Sequence, residues 1–244
     1  MKIVFAGPSI HGLDNALLAA CEMRPPAGCG DVLRAVVAGA DAIGLIDGVF
    51  ESERSVWHKE MLFALASGVR VMGAASIGAL RAAECQAFGM EGIGAIFEQY
   101  RSGERICDAD VALAHAPAEL GYVPLTEALV DIEPVIARLA AEDWLGADEA
   151  KALLAAARHI HFKQRTWNAV LDAADFDETR RAELLHARRS FGLSQKQRDA
   201  SEMIAAISSS EPLVHMDLHT FEFSRTAFFD QLQRQTPLKD PAQC

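Results

Sequence analysis

Three short apolar runs, each separated from the next by a helical segment, dominate the first half of the sequence. The runs are Lys2–Ala6, Asp41–Asp47 and Val69–Ala75, and none of them alternates apolar with polar residues. A strand with one face in water shows such alternation, whereas a strand covered on both faces does not. The pattern therefore predicts an α/β fold, a parallel β-sheet layer flanked by helices.

The segments between and after these runs have the spacing of amphipathic helices. In the first half we predict helices over Leu13–Met23, Val32–Ala38, Ser52–Ser67, Ser76–Phe88 and Gly92–Ser102, and a fourth strand over Asp110–Ala116. After Thr126 helices dominate, over Glu127–Trp144, Asp148–Ile160, Lys163–Ala173, Glu178–Phe191, Gln195–Ile207 and Thr220–Gln235. We therefore expect an α/β core over residues 1–135 and a mainly α-helical C-terminal region over residues 136–244.

Composition excludes several classes of protein. The 244 residues carry 23 Lys and Arg against 34 Asp and Glu, a net charge of −11, so the basic footprint of a nucleic-acid-binding protein is missing. No apolar run approaches the roughly 18 residues that suggest a membrane span. The five cysteines, Cys244 among them, form no Cys-x-x-Cys pair, which argues against a structural zinc site or a disulfide framework. Met1–Phe5 lacks a signal-peptide pattern, and we expect a cytoplasmic protein without a bound metal.

Polar residues follow the predicted strands at their carboxyl ends. Ser9 follows the first strand, Asp47 the second, Ser76 the third and His115 lies in the fourth. Ligands of parallel α/β sheets bind outside the carboxyl ends of the strands. The sequence therefore predicts that two serines, a carboxylate and a histidine converge on one edge of the sheet, where Ser9 is a candidate to bind substrate.

The turn at Ser76 is the most informative of these. Ala74-x-Ser76-x-Gly78 matches the nucleophile elbow G-x-S-x-G, with alanine in place of the first glycine. The amides of Ile77 and Gly78, at the start of a helix, are candidate donors to an oxyanion or a phosphate. A second interpretation stays open, in which Ser76 only caps the helix and the small residues allow close packing of helix on sheet.

Two histidines are candidates for a general base, His58 and His115, because an unperturbed imidazole titrates near neutral pH. Asp47 or Glu60 would orient the imidazole. Arg81 lies three residues before Glu84 and can pair with it or bind an anionic group. Lys59 is a further candidate contact for an anion, although its position also fits a solvated helix face.

Several ungapped segments of the first half of the chain resemble the TfuA family. They are Phe5–Ser9, Pro25-Pro26, Gly30-Asp31, Ile43–Gly48, Ser55–Glu60, Gly73–Glu84, His115 and Gly121-Tyr122. The resemblance extends to about Glu133, and Ile77 stands where the family leads us to expect methionine, a change that conserves volume. The helical second half shows no comparable resemblance.

The resemblance implies a partner of YcaO enzymes in ATP-dependent formation of thioamides on a ribosomally made peptide. It implies that the protein supplies sulfur, by hydrolysing a thiocarboxylated ThiS-like carrier protein. Ser76, with His58 or His115, would then carry the hydrolysis. No intrinsic cofactor is expected, since ATP and Mg belong to the YcaO partner, and the precursor peptide is reached through the YcaO complex.

Two other functions stay open at this point. The protein can be a non-catalytic docking or allosteric subunit that activates the YcaO enzyme, with Trp57 and the acidic surface forming the interface. It can also be an unrelated small-molecule hydrolase with the same elbow. The sequence therefore does not decide whether the chain is an enzyme.

Overall fold

One parallel sheet forms the centre of the protein. The computed structural model describes residues 1–51, 53–211 and 221–235. The sheet has the order β2-β1-β3-β4-β5, with strands β1 (Lys2–Phe5), β2 (Glu22–Arg24), β3 (Ala42–Leu45), β4 (Arg70–Ala74) and β5 (Glu91–Ile93). All four pairings are parallel, with Ile3 opposite Ile43 and Ile43 opposite Val71 in the central strands. The predicted α/β layer is confirmed.

Five helices belong to this first part of the chain: α1 (Asn15–Leu18), α2 (Asp31–Val37), α3 (His58–Ala66), α4 (Ile77–Cys85) and α5 (Ala95–Ser102). Alternate strand residues point to opposite faces of a sheet. Ile3 and Phe5 therefore pack in one cluster with α2, α3 and α4, while Val4 and Ala6 face the other side. Burial on both faces explains why the central strands lack polar residues.

The second part of the chain is mostly helical, as predicted. Its helices are α6 (Leu129–Ala141), α7 (Ala147–His159), α8 (Trp167–Ala173), α9 (Glu178–Arg189), α10 (Gln195–Ser209) and α11 (Ala227–Gln235). Helices α6 to α9 share a core of their own. Helix α10 instead covers the second face of the sheet, where Met203, Ile204 and Ile207 pack against Val4 and Met72. The division at residue 135 stays a prediction, and α10 contributes directly to the sheet layer.

Several predicted elements are wrong. Leu13–Met23 is not one helix, because α1 has four residues and the chain then enters the edge strand β2. Asp110–Ala116 is not a strand, since its only ladder contact among the described residues is an isolated bridge from His115 to Pro124. The fifth strand lies earlier, at Glu91–Ile93, and overlaps the start of the helix predicted over Gly92–Ser102. A strand of three residues is too short to show a pattern of its own, so the longer helical spacing around it determined the prediction.

The predicted and observed starts differ most for two helices. The helix predicted from Ser52 begins at His58, and the one predicted from Thr220 begins at Ala227. Ser52, Thr220 and Cys244 lie outside the described residues. Within the described part of the chain, no helix has the length and apolar character needed to cross a bilayer.

Candidate functional site

A cavity of about 260 Å³ lies at the carboxyl ends of the central strands. Loops after β1, β3 and β4 contribute to its wall, as do the segment from residue 108 to residue 122 and the first turn of α10. The polar side chains among its lining residues are Asp47, Ser76, Asp108, His115, Tyr122 and Lys196. The structure thus brings together Asp47, Ser76 and His115, three of the residues expected at this edge.

The turn that places Ser76 in the cavity is sharply bent. Ala75, between β4 and α4, has a φ of 64°, a left-handed conformation that costs an L-residue roughly 1–2 kcal/mol. Ser76 follows as the N-cap of α4, yet its side chain makes no capping hydrogen bond. Its side chain is 8% exposed and lines the cavity. The expectation that the Ser76 side chain caps the helix is therefore wrong, and the hydroxyl has no hydrogen-bond partner among the described residues.

The glycines of this turn serve packing. A Cβ on Gly78 would lie 1.8 Å from the carbonyl oxygen of Leu45, and one on Gly73 would lie 2.1 Å from the carbonyl oxygen of Gly78. Helix α4 therefore contacts the backbone of the sheet directly. The Gly78 amide donates to Ile46 O at 3.1 Å, so the prediction that it binds an oxyanion is wrong. The Ile77 amide remains as a donor, since no acceptor in the described residues bonds it.

Asp47 holds the loop after β1. Its side chain is buried, Oδ2 accepts from the amides of Gly7 and Ser9 at 2.9 and 3.0 Å, and Oδ1 accepts from the Ser9 hydroxyl at 2.7 Å. Neither Asp47 nor Ser9 bonds a histidine in the described structure. Asp47 therefore organises the loop, contrary to the expectation that it orients the base. The Ser9 hydroxyl donates to Asp47, and Ser9 is not among the residues that line this cavity, so its expected part in binding substrate stays a prediction.

His115 lines the mouth of the cavity. Its Nδ1 lies 2.8 Å from the carbonyl oxygen of Ala116, and its ring meets that of Tyr122 edge-on, with centroids 5.7 Å apart. Because a carbonyl oxygen only accepts, Nδ1 carries the proton in the neutral ring and Nε2 keeps its lone pair. His115 is thus held in the tautomer that a general base requires.

His58 lies elsewhere. It begins α3, half its side chain is exposed, and Nε2 lies 2.6 Å from Oε2 of Glu84. The same oxygen accepts from Arg81 at 2.7 Å. The predicted Arg81–Glu84 pair is therefore confirmed, and His58 joins it as a third member. Burial opposes ionisation, but the bonds from His58 and Arg81 lower the pKa of Glu84. None of the three lines the cavity, so the structure separates His58 and Arg81 from Ser76.

Glu60 and Lys59 also have partners outside the cavity. The buried Glu60 carboxylate accepts from the amides of Gly30, Trp57 and Leu33 at 3.0, 3.1 and 3.3 Å. It thereby satisfies amides at the starts of α2 and α3 and bonds no histidine, which contradicts the expected orienting role. Burial raises the pKa of Glu60, against the effect of these amides. Lys59 donates to Ser224 O at 2.6 Å and fastens the C-terminal segment.

Lys196 is the residue that sequence reasoning missed. It lies in the first turn of α10, is 2% exposed and lines the cavity. Its Nζ donates to Val111 O at 2.8 Å and lies 3.9 Å from Oδ1 of Asp47. A signal was present, because Lys196 shares helical spacing with the apolar residues Ala200, Met203 and Ile207. A lysine on a buried stripe needs a polar partner there.

Comparison with known families supports the resemblance seen in the sequence. Residues 47–166 match the family model described as TfuA-like protein. The matched range contains Asp47, Ser76 and His115 and ends before Lys196. No match was found among curated proteins. In the described residues, no group of three or more His, Cys, Asp or Glu side chains is placed to hold a metal ion.

Proposed function

Since residues 47–166 match the family model of TfuA-like proteins, we propose that this chain works with a YcaO enzyme in thioamide formation on a ribosomally made peptide. Its part in that reaction is to supply sulfur, by hydrolysing the thiocarboxylate at the end of a ThiS-like carrier protein. The YcaO partner holds the ATP and Mg that activate the peptide amide. The TfuA-like chain itself needs no cofactor for a hydrolysis.

One observation carries the proposal. Ser76, whose hydroxyl is unbonded, and His115, whose Nε2 keeps its lone pair in the neutral ring, line the same cavity as Ile77, whose amide is unbonded. A nucleophile, a base and an oxyanion donor are the groups that acyl transfer requires. A thiocarboxylate is an acyl donor, so this set of groups fits its hydrolysis.

The first step forms an ester on Ser76. His115 takes the hydroxyl proton while Oγ attacks the carbonyl carbon, and the Ile77 amide donates to the oxygen as it becomes negative. The C–S bond then breaks, and the imidazolium protonates the departing sulfur, which leaves as hydrosulfide. In the second step His115 activates a water that cleaves the ester. Serine is restored, and the carrier ends in a carboxylate.

The alternative of a non-catalytic docking subunit relied on Trp57 as part of an interface. In the structure Trp57 packs against the cluster formed by Leu33, Phe229 and Leu232. This surface is therefore partly covered by the chain's own C-terminal helix. The hydrolase proposal is favoured, because no comparable observation supports the docking function.

Four variants test the proposal, with sulfide release from a thiocarboxylated carrier as the assay. We expect Ser76→Ala to lower kcat by at least about 10³-fold and His115→Asn by about 10²–10⁴-fold, the usual contribution of a general base. Two matched controls are Ser55→Ala, which removes a buried unbonded hydroxyl outside the cavity, and His58→Asn. Both controls should retain wild-type rates. Wild-type rates in the Ser76 or His115 variant would refute the assigned roles.

A further inference from the structure

The ammonium group of Lys196 is almost completely buried and only partly satisfied. An ammonium has three N–H donors, and one of them bonds Val111 O at 2.8 Å. Asp47 Oδ1, at 3.9 Å, is close enough for an ion pair but too far for a hydrogen bond. In the described structure Nζ has no other acceptor. A buried charge with unmet donors is costly, so this group is suited to receive an acceptor from the cavity.

The described part of the cavity wall carries one cationic side chain, Lys196, and two carboxylates, Asp47 and Asp108. Lys196 is the only lysine or arginine among its described lining residues. The Asp47 carboxylate accepts three hydrogen bonds from Gly7 and Ser9, and its Oδ1 lies 3.9 Å from Nζ, beyond hydrogen-bond distance. The loop amides thus hold Asp47 in place, while the remaining donors of Lys196 are available to the cavity that Ser76 also lines.

We infer that Lys196 binds the negative charge on the end group of the substrate, so that the cavity selects a thiocarboxylate over a neutral thioester. This inference rests on the proposed function. A thiocarboxylate enters with one negative charge, and attack by Ser76 creates a second on the carbonyl oxygen. The Ile77 amide stabilises the second charge, and Lys196 neutralises the first. A neutral thioester acquires only the charge on the carbonyl oxygen, so it needs the Ile77 amide but not Lys196.

This assignment places part of the site outside the matched family range. Lys196 comes from α10, whose apolar face packs on the second face of the sheet through Met203 and Ile204. The Lys196 amide also donates to the buried carboxylate of Asp131 at 2.9 Å, which fixes the first turn of α10. The C-terminal helical region therefore has a direct function in binding the substrate.

A selectivity assay tests the inference. Two peptides that end in Gly-Gly are compared, one as the thiocarboxylate and the other as its S-methyl thioester. Lys196→Met should lower kcat/KM for the thiocarboxylate about 10- to 100-fold, the effect of losing one hydrogen bond to a charged group, with little change for the thioester. Lys196→Arg should restore part of the loss. Lys151→Met, an exposed lysine on α7, is the control. An equal loss on both substrates would overturn the inference.

A binding measurement works without catalysis and without a variant. By calorimetry, the wild-type protein should bind acetyl-Gly-Gly carboxylate at least tenfold more tightly than the neutral acetyl-Gly-Gly amide. Equal affinities would overturn the inference even if hydrolysis occurs. Conversely, selective binding of the carboxylate by a protein that releases no sulfide would refute the proposed hydrolysis and leave the anion-binding role of Lys196 standing.

Discussion

Replacing Asp47 with asparagine separates the charge of this residue from its shape. The side chain is 2% exposed, and its two oxygens accept three hydrogen bonds from the loop after β1. Asparagine keeps one carbonyl oxygen for the two backbone amides. Its amide nitrogen cannot accept from Ser9, and the substitution removes the carboxylate charge that lies 3.9 Å from the buried ammonium of Lys196.

The expected destabilisation is large. Removing one member of a buried ion pair costs about 3–5 kcal/mol, and the lower end applies here because the pair is 3.9 Å apart and asparagine keeps part of the bonding. Total stability of a domain is about 5–15 kcal/mol. With a urea m-value of about 3 kcal/mol per M, the unfolding midpoint of Asp47→Asn should fall by about 1 M.

Urea unfolding followed by circular dichroism measures this fall, and a double-mutant cycle identifies its cause. Lys196→Met removes the buried cation, so Asp47→Asn should cost at least about 1 kcal/mol less in that background than in the wild type. The reasoning is refuted if the losses of unfolding free energy in the two single variants simply add in the double variant. It is also refuted if Asp47→Asn shifts the midpoint by less than 0.2 M, about a fifth of the expected fall. Either result would show that the ion pair does not stabilise the site.

Three further predictions concern the scaffold around the site. Burial raises the folded-state pKa of Glu60 above its ordinary value of 4.5, so the contribution of Glu60 to the free energy of unfolding falls as pH rises above that value. Glu60→Gln should reduce the difference between the urea midpoints measured at pH 5 and at pH 7. An unchanged difference would contradict this. Gly78→Ala places a Cβ 1.8 Å from Leu45 O, so we expect the melting temperature to fall by at least about 5 °C. An unchanged melting temperature would refute direct contact between helix and sheet. Lys59→Ala removes the bond to Ser224 O and should speed proteolysis of the C-terminal segment without changing sulfide release; equal cleavage rates would exclude this role.

The sheet layer was predictable because burial on both faces removes polar residues from the strands. Runs such as Lys2–Ala6 and Val69–Ala75 show this directly. Strands β2 and β5 have three residues each, too few to show a period, so they were absorbed into helical patterns. Local sequence thus predicts the interior of an element better than its ends or its shortest members.

The candidate site was likewise predictable only in part. Ser76 was placed correctly because it follows a buried strand. His115 lines the cavity through a loop closed by the bridge to Pro124, although the strand predicted for it does not exist. His58 was misplaced because helical periodicity does not determine where a helix starts, and α3 begins six residues after Ser52. Lys196 reaches the site only through tertiary packing of α10, which no local pattern encodes.

The most direct test of the central claim is sulfide release by the purified protein alone. The thiocarboxylated carrier is supplied without a YcaO enzyme and without ATP, and hydrosulfide is measured over time. The account predicts steady release that is lost in Ser76→Ala while the variant keeps the wild-type melting temperature. Release that requires the YcaO enzyme, at the same rate with either form of this protein, would show that the cavity is not a hydrolytic site.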